Sequence, residues 1–162
     1  MKQTMSIREK HDGVLGDRSS VRVWLRLLSC TMAIEKEVQR RFAERGATLP
    51  RFDVMAALDR HGEMKLGELS QSLLVSNGNV TQLVQKLVQD GQVELRKPPA
   101  DRRASIVRLT PHGQVEFAGL AAAHHDWIDG LLAGMDAEAR ESLYQALGAL
   151  KRSIAKGQSL GS

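Results

Sequence analysis

The chain has 162 residues, a formal net charge of +4 and a sequence pI near 9.5. This length suffices for one domain with helical extensions and a real core. The single cysteine, Cys30, excludes an intrachain disulfide and with it the class of small secreted proteins held together by disulfides. The basic balance favours an acidic partner. Because no apolar run reaches the length of a membrane span or forms the centre of a signal peptide, we expect a cytoplasmic protein without a membrane partner.

The first half of the chain predicts helices. Residues 1–18 are predicted to form a polar arm, and after the cap candidates Ser19 and Ser20 apolar residues recur at helical spacing as far as Phe42. This pattern predicts a long helix that ends near Gly46. Pro50 and Gly62 then stand where a second, short and mostly buried helix would begin and end.

The middle of the chain predicts a helix-turn-helix followed by a hairpin. Leu66, Leu69 and Leu73 have helical spacing, and after a break the stretch SNGNVTQLVQKLVQDG (76–91) predicts a second helix. Alternating residues in 92–97 and 105–110 predict two strands joined by a charged tip. A helix from 111 to about 134 and another opened by Asp136 complete a mainly α chain with a small β-hairpin.

The helix predicted over 76–91 has two different faces. Val80, Leu83, Val84 and Leu87 cluster on one side of a helical wheel, whereas amides occupy the opposite side and no acid precedes Asp90. Amides can read base edges in the major groove, where a carboxylate would be repelled by phosphates. An ordinary solvated face remains the alternative for this helix taken alone. The candidate DNA contacts on it are Ser76 as N-cap, Asn77, Asn79, Thr81, Gln82, Gln85 and Lys86.

The hairpin tip supplies a second set of candidate DNA contacts. Arg102 and Arg103 follow Pro98 and Pro99, so a stiffened loop could carry them to phosphates or to a narrow minor groove. Asp101 could aim a guanidinium through paired hydrogen bonds. The alternative is an ordinary charged turn.

The run from Leu66 to Gly113 resembles the winged helix-turn-helix core of the MarR family of bacterial regulators, including its D-x-R wing signature at Asp101 to Arg103. The resemblance implies a homodimer that binds double-stranded DNA at a palindromic operator, usually as a repressor. It implies that Arg103, braced by Asp101, enters the minor groove, with Arg102 as second choice. It also implies the following organisation: a flexible arm at 1–18, a dimerisation helix at 19–48, a DNA-binding lobe at 49–110, dimerisation helices at 111–156 and a tail at 157–162.

Members of this family commonly release DNA when a small molecule, often an aromatic acid, binds. Aromatic walls with a few polar groups would suit such an effector, although packing in the core or in a dimer interface is the alternative for these positions. The stretches NGNVTQLV and HHDW also resemble regulators of aromatic-acid degradation, some of which read acyl-CoA thioesters. The candidate pocket walls are Trp24, Leu28, Met32, Phe52, Met55, His124, His125 and Trp127, and the candidate CoA-phosphate ligands are Arg22, Arg26, Arg40 and Arg41.

Other functions have less support in the sequence. We expect Cys30 to be a buried, inert thiol, with Tyr144 as its single possible tyrosine partner for peroxide sensing. His124 and His125 point about 100° apart on a helix, so we expect exposed histidines and no metal or other cofactor. An enzyme is not expected, because nucleophile and phosphate-binding motifs are missing from the sequence. The remaining alternative is a winged-helix module that binds protein, which predicts an acidic or apolar outer helix face.

Overall fold

The computed structural model describes residues 19–73, 80–97 and 105–159. It confirms a mainly α fold with a small β element. In chain order the elements are α1 (Ser19–Glu44), α2 (Leu49–His61), β1 (Met64–Lys65), α3 (Leu66–Ser72), α4 (Val80–Gln89), β2 (Val93–Arg96), β3 (Ile106–Leu109), α5 (Pro111–Leu131) and α6 (Ala137–Ser159). The chain divides into two compact units, and the boundary falls within α5, between His124 and His125. The functional segments assigned from the sequence stay predictions.

Local signals in the sequence fix several helix ends. The Thr48 hydroxyl accepts a hydrogen bond from the Arg51 backbone N–H at 3.4 Å, and Pro50 occupies the first turn of α2. Gly62 ends α2 with a φ of +75°, a conformation that glycine adopts without steric cost. At the other end of the chain, the Asp136 carboxylate accepts from the Ala139 N–H at 2.8 Å, which confirms Asp136 as the residue that opens α6.

Helix α2 lies at the centre of the first unit. It packs against α1, α3, α4 and β3, so apolar residues on several of its sides are buried. Those below 9% exposure are Phe52, Val54, Met55 and Leu58. The prediction of a mostly buried second helix is therefore confirmed. Burial on several sides also explains why α2 lacks the single apolar stripe of a surface helix.

An aromatic cluster joins α1, α2 and α5 within the first unit. The ring of Phe52 lies 4.9 Å from that of Phe42, 5.5 Å from Phe117 and 5.0 Å from the imidazole of His124, measured between centroids. His124 also stacks on Phe42 at 5.8 Å and 15°. Tilted and stacked rings at these separations stabilise a core beyond the area that they bury.

The sheet has three strands in the order β1-β3-β2, all antiparallel, whereas the sequence predicted two. The additional strand, β1, is two residues long and pairs Met64 with Val107 and Lys65 with Ile106. In the predicted hairpin, Val93 pairs with Leu109 and Leu95 with Val107. Val93 and Val107 are buried, but Leu95 is 43% exposed because its end of β2 extends past the core.

Helix α6 carries an apolar row on one face, as its sequence pattern predicts. The row consists of Leu143, Leu147, Leu150 and Ile154, and all of its residues but Leu150 are exposed in the single chain. Uncovered apolar side chains at helical spacing are typical of a helix that meets a partner. Among the described residues, none of the helices combines the length and apolarity required to cross a membrane.

Candidate nucleic-acid interface

Helix α4 presents a buried face and a polar face, as predicted. Val80, Val84 and Leu87 are 6%, 2% and 0% exposed, and they pack the helix against α2, α3 and β2. The opposite side, which we call the outer face of α4, consists of Thr81, Gln82, Gln85, Lys86 and Gln89, all exposed. This face carries one positive charge and no negative charge. Its hydroxyl and amide groups can both donate and accept hydrogen bonds.

The α4–β2 turn (Asp90–Gln92) ends the helix in a defined geometry. Gly91 has a φ of +71°, its N–H donates to the carbonyl of Val88 at 3.0 Å, and the N–H of Gln92 donates to the carbonyl of Leu87 at 2.9 Å. This pair of bonds around a left-handed glycine is the Schellman motif. The stop signal that the sequence placed at Gly91 is confirmed.

Gln92 connects this turn to two other helices. It is 5% exposed, and its side-chain oxygen accepts from the Arg51 guanidinium of α2 at 2.8 Å. The same Arg51 nitrogen donates to the Asp90 carboxylate. At the start of α5, the Thr110 N–H donates to the Gln92 carbonyl at 3.0 Å, and the Thr110 hydroxyl donates to the Gly91 carbonyl at 2.6 Å.

The β2–β3 hairpin, which we call the wing, carries paired charges at its base. Arg108 of β3 bonds to Glu94 of β2 across the strands, and Arg96 donates to Glu63 at 3.1 Å. All four of these side chains are about half exposed, so each pair orients its partners more than it stabilises the fold. Opposite charges on neighbouring strands favour this pairing. The wing tip, which contains Asp101, Arg102 and Arg103, lies outside the described residues.

A shallow groove runs beside the outer face of α4. It is lined by the start of α3, by Thr81 of α4 and by Ser105 at the base of the wing. The Ser105 carbonyl accepts from the Leu66 N–H at 2.9 Å, which ties the wing to α3. Of the predicted DNA contacts, the structure brings Thr81, Gln82, Gln85 and Lys86 onto one surface. Ser76, Asn77 and Asn79 lie outside the described residues.

The predicted pocket residues fall into different environments. On α1, Trp24 and Met32 are 56% and 52% exposed, and Leu28 is half-buried. Phe52 and Met55 are buried in α2, and His124 is half-buried against the rings of Phe42 and Phe52. In the second unit Trp127 is buried and His125 is exposed. Phe117, whose ring completes the cluster around Phe52, was not among the predicted pocket residues. Whether these residues bind a ligand stays a prediction.

Two of the four arginines considered for CoA phosphates already pair with carboxylates. Glu37 accepts from Arg40 and from Arg41, each at 2.7 Å, and Arg40 also bonds to Glu44. The hydrogen bond from Arg40, followed by that from Arg41, lowers the pKa of Glu37 to about 2. A phosphate that bound these guanidinium groups would have to displace the ionised Glu37 carboxylate.

Cys30 and His124 depart from the sequence expectations. Cys30 is exposed on α1, so the expectation of a buried thiol is wrong. The face of α1 that is buried in the single chain contains Val38 and Phe42, and Cys30 lies more than two turns before it. His124 is half-buried in the aromatic cluster rather than exposed, whereas His125 is exposed and lies 3.1 Å from Asp129. In the described ranges, His, Cys, Asp and Glu form no group of three that could hold a metal ion.

Residues 45–104 match the model of the MarR family. Over 66% of this chain and 67% of the relative's length, the sequence is 27% identical to an uncharacterized HTH-type transcriptional regulator, YfiV, of Bacillus subtilis. It is 31% identical to the transcriptional activatory protein BadR of Rhodopseudomonas palustris, over 62% of this chain and 59% of BadR. The alignments thus span about three fifths to two thirds of these curated relatives.

Solved structures extend the likeness to most of the chain. A MarR family transcriptional regulator from Silicibacter pomeroyi is 29% identical, with a TM-score of 0.71, over 85% of this chain and 98% of that one. BpsR of Bordetella bronchiseptica, whose DNA binding is regulated by 6-hydroxynicotinic acid, has the same fold at 19% identity, with a TM-score of 0.72 over 80% and 98% of the two chains. The matched segment is thus similar to the helix-turn-helix of MarR family transcriptional regulators, and most of the chain shares their winged-helix fold.

Proposed function

We propose that this protein is a cytoplasmic, sequence-specific transcriptional regulator that binds a palindromic DNA operator as a homodimer. The observation that carries the proposal is the outer face of α4. Its exposed amides, hydroxyl and lysine lie on a helix that the buried face fixes to the lobe. Such a face can enter a major groove, accept from and donate to base edges, and meet no repulsion from the phosphates.

The wing supplies the second proposed contact. Arg103, aimed by Asp101, would enter the minor groove beside the recognition helix α4, with Arg102 as the alternative. In the described part of the wing, the exposed Arg96 and Arg108 are both paired with acids. Their positive charge is therefore partly neutralised, which makes the tip arginines the better candidates for phosphate and minor-groove contacts.

A dimer would explain the apolar row on α6. Exposed leucine and isoleucine at helical spacing are costly to leave in water, and a second copy would cover them. The first half of α1 is similarly exposed, with Val21, Val23 and Trp24 each above 40%. A two-fold dimer would place two copies of α4 in successive major grooves, so half-sites should lie about 10 base pairs apart.

We further propose that a small aromatic acid releases the protein from its operator and that DNA binding represses transcription. BpsR, whose DNA binding responds to 6-hydroxynicotinic acid, supports this class of effector. BadR, named as an activatory protein, makes activation the alternative direction. A free acid is preferred over a CoA thioester, because Glu37 already engages Arg40 and Arg41.

Selection of duplexes from a random DNA library tests the proposal. Purified protein at near-physiological salt should enrich a two-fold symmetric motif, and its affinity should fall steeply as salt rises. Addition of 6-hydroxynicotinic acid or a hydroxycinnamoyl-CoA would then show which effector class releases the selected duplex. No enriched motif would contradict sequence-specific binding and favour the winged-helix module that binds protein.

A further inference from the structure

The end of the recognition helix is held from three directions by groups that do not belong to it. Arg51 of α2 donates to Asp90 and to Gln92, residues 39 and 41 positions further along the chain. Thr110, just before α5, donates both its N–H and its hydroxyl to carbonyls of the same turn. Strand β2 continues directly from Gln92. The α4–β2 turn is therefore a junction between α2, α4, α5 and the wing.

The backbone of α5 also approaches this turn too closely for a side chain. A Cβ atom on Gly113 would lie 1.9 Å from the carbonyl oxygen of Gln92. The Gly113 N–H donates to the Thr110 hydroxyl at 3.0 Å, and that hydroxyl in turn donates to the Gly91 carbonyl. The first turn of α5 thus rests directly on the end of α4.

Burial makes Arg51 the side chain on which this junction depends. The Arg51 side chain is 15% exposed, and Gln92 is the one buried polar or charged residue in the described ranges. A half-buried guanidinium that serves a carboxylate and an amide together is far more restricted than a surface ion pair. Removal of Arg51 would leave the Gln92 side-chain oxygen buried without its donor. An unpaired buried acceptor costs more free energy than the loss of both partners of a hydrogen bond.

We propose that Arg51 is a positioning residue for DNA recognition, which sets the direction of α4 through Asp90 and Gln92 and does not itself touch DNA. This role rests on the proposed function of α4 as the recognition helix. Arg51 acts at the last turn of a ten-residue helix, so a small change of angle there displaces Thr81 and Gln82 at the other end. Base contacts depend on hydrogen-bond geometry and would weaken before contacts with phosphates.

Asp90→Asn separates this role from the alternative that Arg51 is a phosphate ligand. If Arg51 contacted phosphate, removal of the neighbouring carboxylate would free the guanidinium and strengthen DNA binding. If Arg51 positions α4, the same substitution weakens one of its two bonds and lowers operator affinity. The two roles therefore predict opposite signs for one variant.

The experiment uses the full chain and a duplex selected from the random library. Arg51→Met should weaken binding to the selected duplex about tenfold, reduce its preference over a scrambled duplex, and leave the slope of affinity against salt unchanged. Asp90→Asn should weaken binding several-fold, and the double variant should be no weaker than Arg51→Met alone, because both substitutions break the same link. Tighter binding by Asp90→Asn, or a salt slope lowered by about one in Arg51→Met, would overturn the proposal.

Hydrogen exchange supplies a readout that needs no DNA. Backbone amides of residues 86–93 should exchange faster in Arg51→Met than in the wild-type protein, while those of α6 should not change. Arg60→Met, which removes an exposed arginine at the other end of α2, is the matched control and should leave residues 86–93 protected. If hydrogen exchange were unchanged in Arg51→Met, the positioning role of Arg51 would be wrong and the proposed function would stand. Faster exchange with unchanged operator affinity would also contradict the positioning role. Failure to select any duplex would instead overturn the proposed function.

Discussion

Gly113→Ala tests the contact between α5 and the turn that ends α4. Alanine is ordinarily preferred to glycine inside a helix by about 0.5 to 1 kcal/mol. At position 113 the new methyl group would lie 1.9 Å from the Gln92 carbonyl oxygen, whereas ordinary contact begins near 3.4 Å. One backbone segment must therefore move by roughly 1.5 Å, and neither is a flexible side chain that can rotate away.

The size of the effect follows from three contributions. Forced displacement in a packed interior costs about 1 to 3 kcal/mol. Moving the Gln92 carbonyl also weakens its bond with the Thr110 N–H, a loss of about 1 kcal/mol. The helical preference of alanine offsets about 0.5 to 1 kcal/mol of this loss. The free energy of unfolding should therefore fall by about 1 to 3 kcal/mol.

Gly119→Ala is the matched control, since Gly119 lies on the same helix and a Cβ there would meet nothing within 4 Å. Gly119→Ala should raise the free energy of unfolding by up to about 1 kcal/mol, whereas Gly113→Ala should lower it. Urea unfolding of both variants, at one protein concentration because association contributes to stability, measures the difference. If Gly113→Ala were as stable as Gly119→Ala, α5 could not approach Gln92 as closely as described.

Three further predictions concern charge. Burial, followed by the charge of Glu35, raises the pKa of Asp53, so the free energy of unfolding should fall as pH rises through the interval above the usual aspartate range. Asp53→Asn should therefore be more stable than wild type near pH 7 and should lose this difference in stability in acid. An equal change in stability at both pH values would contradict the raised pKa. Because the pKa of Glu37 is lowered to about 2, its carboxylate should stabilise the folded chain at neutral pH, and this contribution should be lost as pH falls through 2. Glu37→Gln should therefore have a lower free energy of unfolding than wild type at neutral pH, and the difference should shrink as pH falls toward and below 2 and as salt is added; a salt-independent loss would refute an ionic cause. In a binding assay with a selected duplex, Arg103→Ala should weaken affinity by about 1 to 3 kcal/mol without altering the fold, and a larger loss in the control Arg102→Ala would transfer the minor-groove role to Arg102.

Residue patterns within one element were sufficient for much of the fold. The apolar stripe of α4, the stop at Gly91 and the start at Asp136 each depend on a few neighbouring residues, and the structure confirms all three. Strand β1 could not be predicted in this way. Two residues cannot show an alternation, and Met64 and Lys65 become a strand because β3 is available to pair with them.

The junction at Gln92 was beyond the sequence for a related reason. Gln92 looked like a polar residue at the start of a strand, and nothing near it in the sequence indicates burial. Its partners Arg51 and Thr110 lie 41 positions before it and 18 positions after it. The polar side of α4 was predictable because periodicity reveals it, whereas the contacts that orient that side arise from tertiary packing.

In the proposed dimer, the apolar row on α6 would determine whether a variant that is impaired in DNA binding is dominant or recessive. In that dimer, association would depend on this row and DNA contact would depend on α4 and the wing, so a substitution in one should leave the other unaltered. A chain carrying Arg103→Ala would still pair with wild-type chains, and each mixed pair would hold one impaired half. In a cell that expresses both alleles, the impaired allele would therefore be dominant. Replacing Leu143 and Leu147 with polar residues in the same chain would make it recessive, because the impaired chains could no longer capture intact ones.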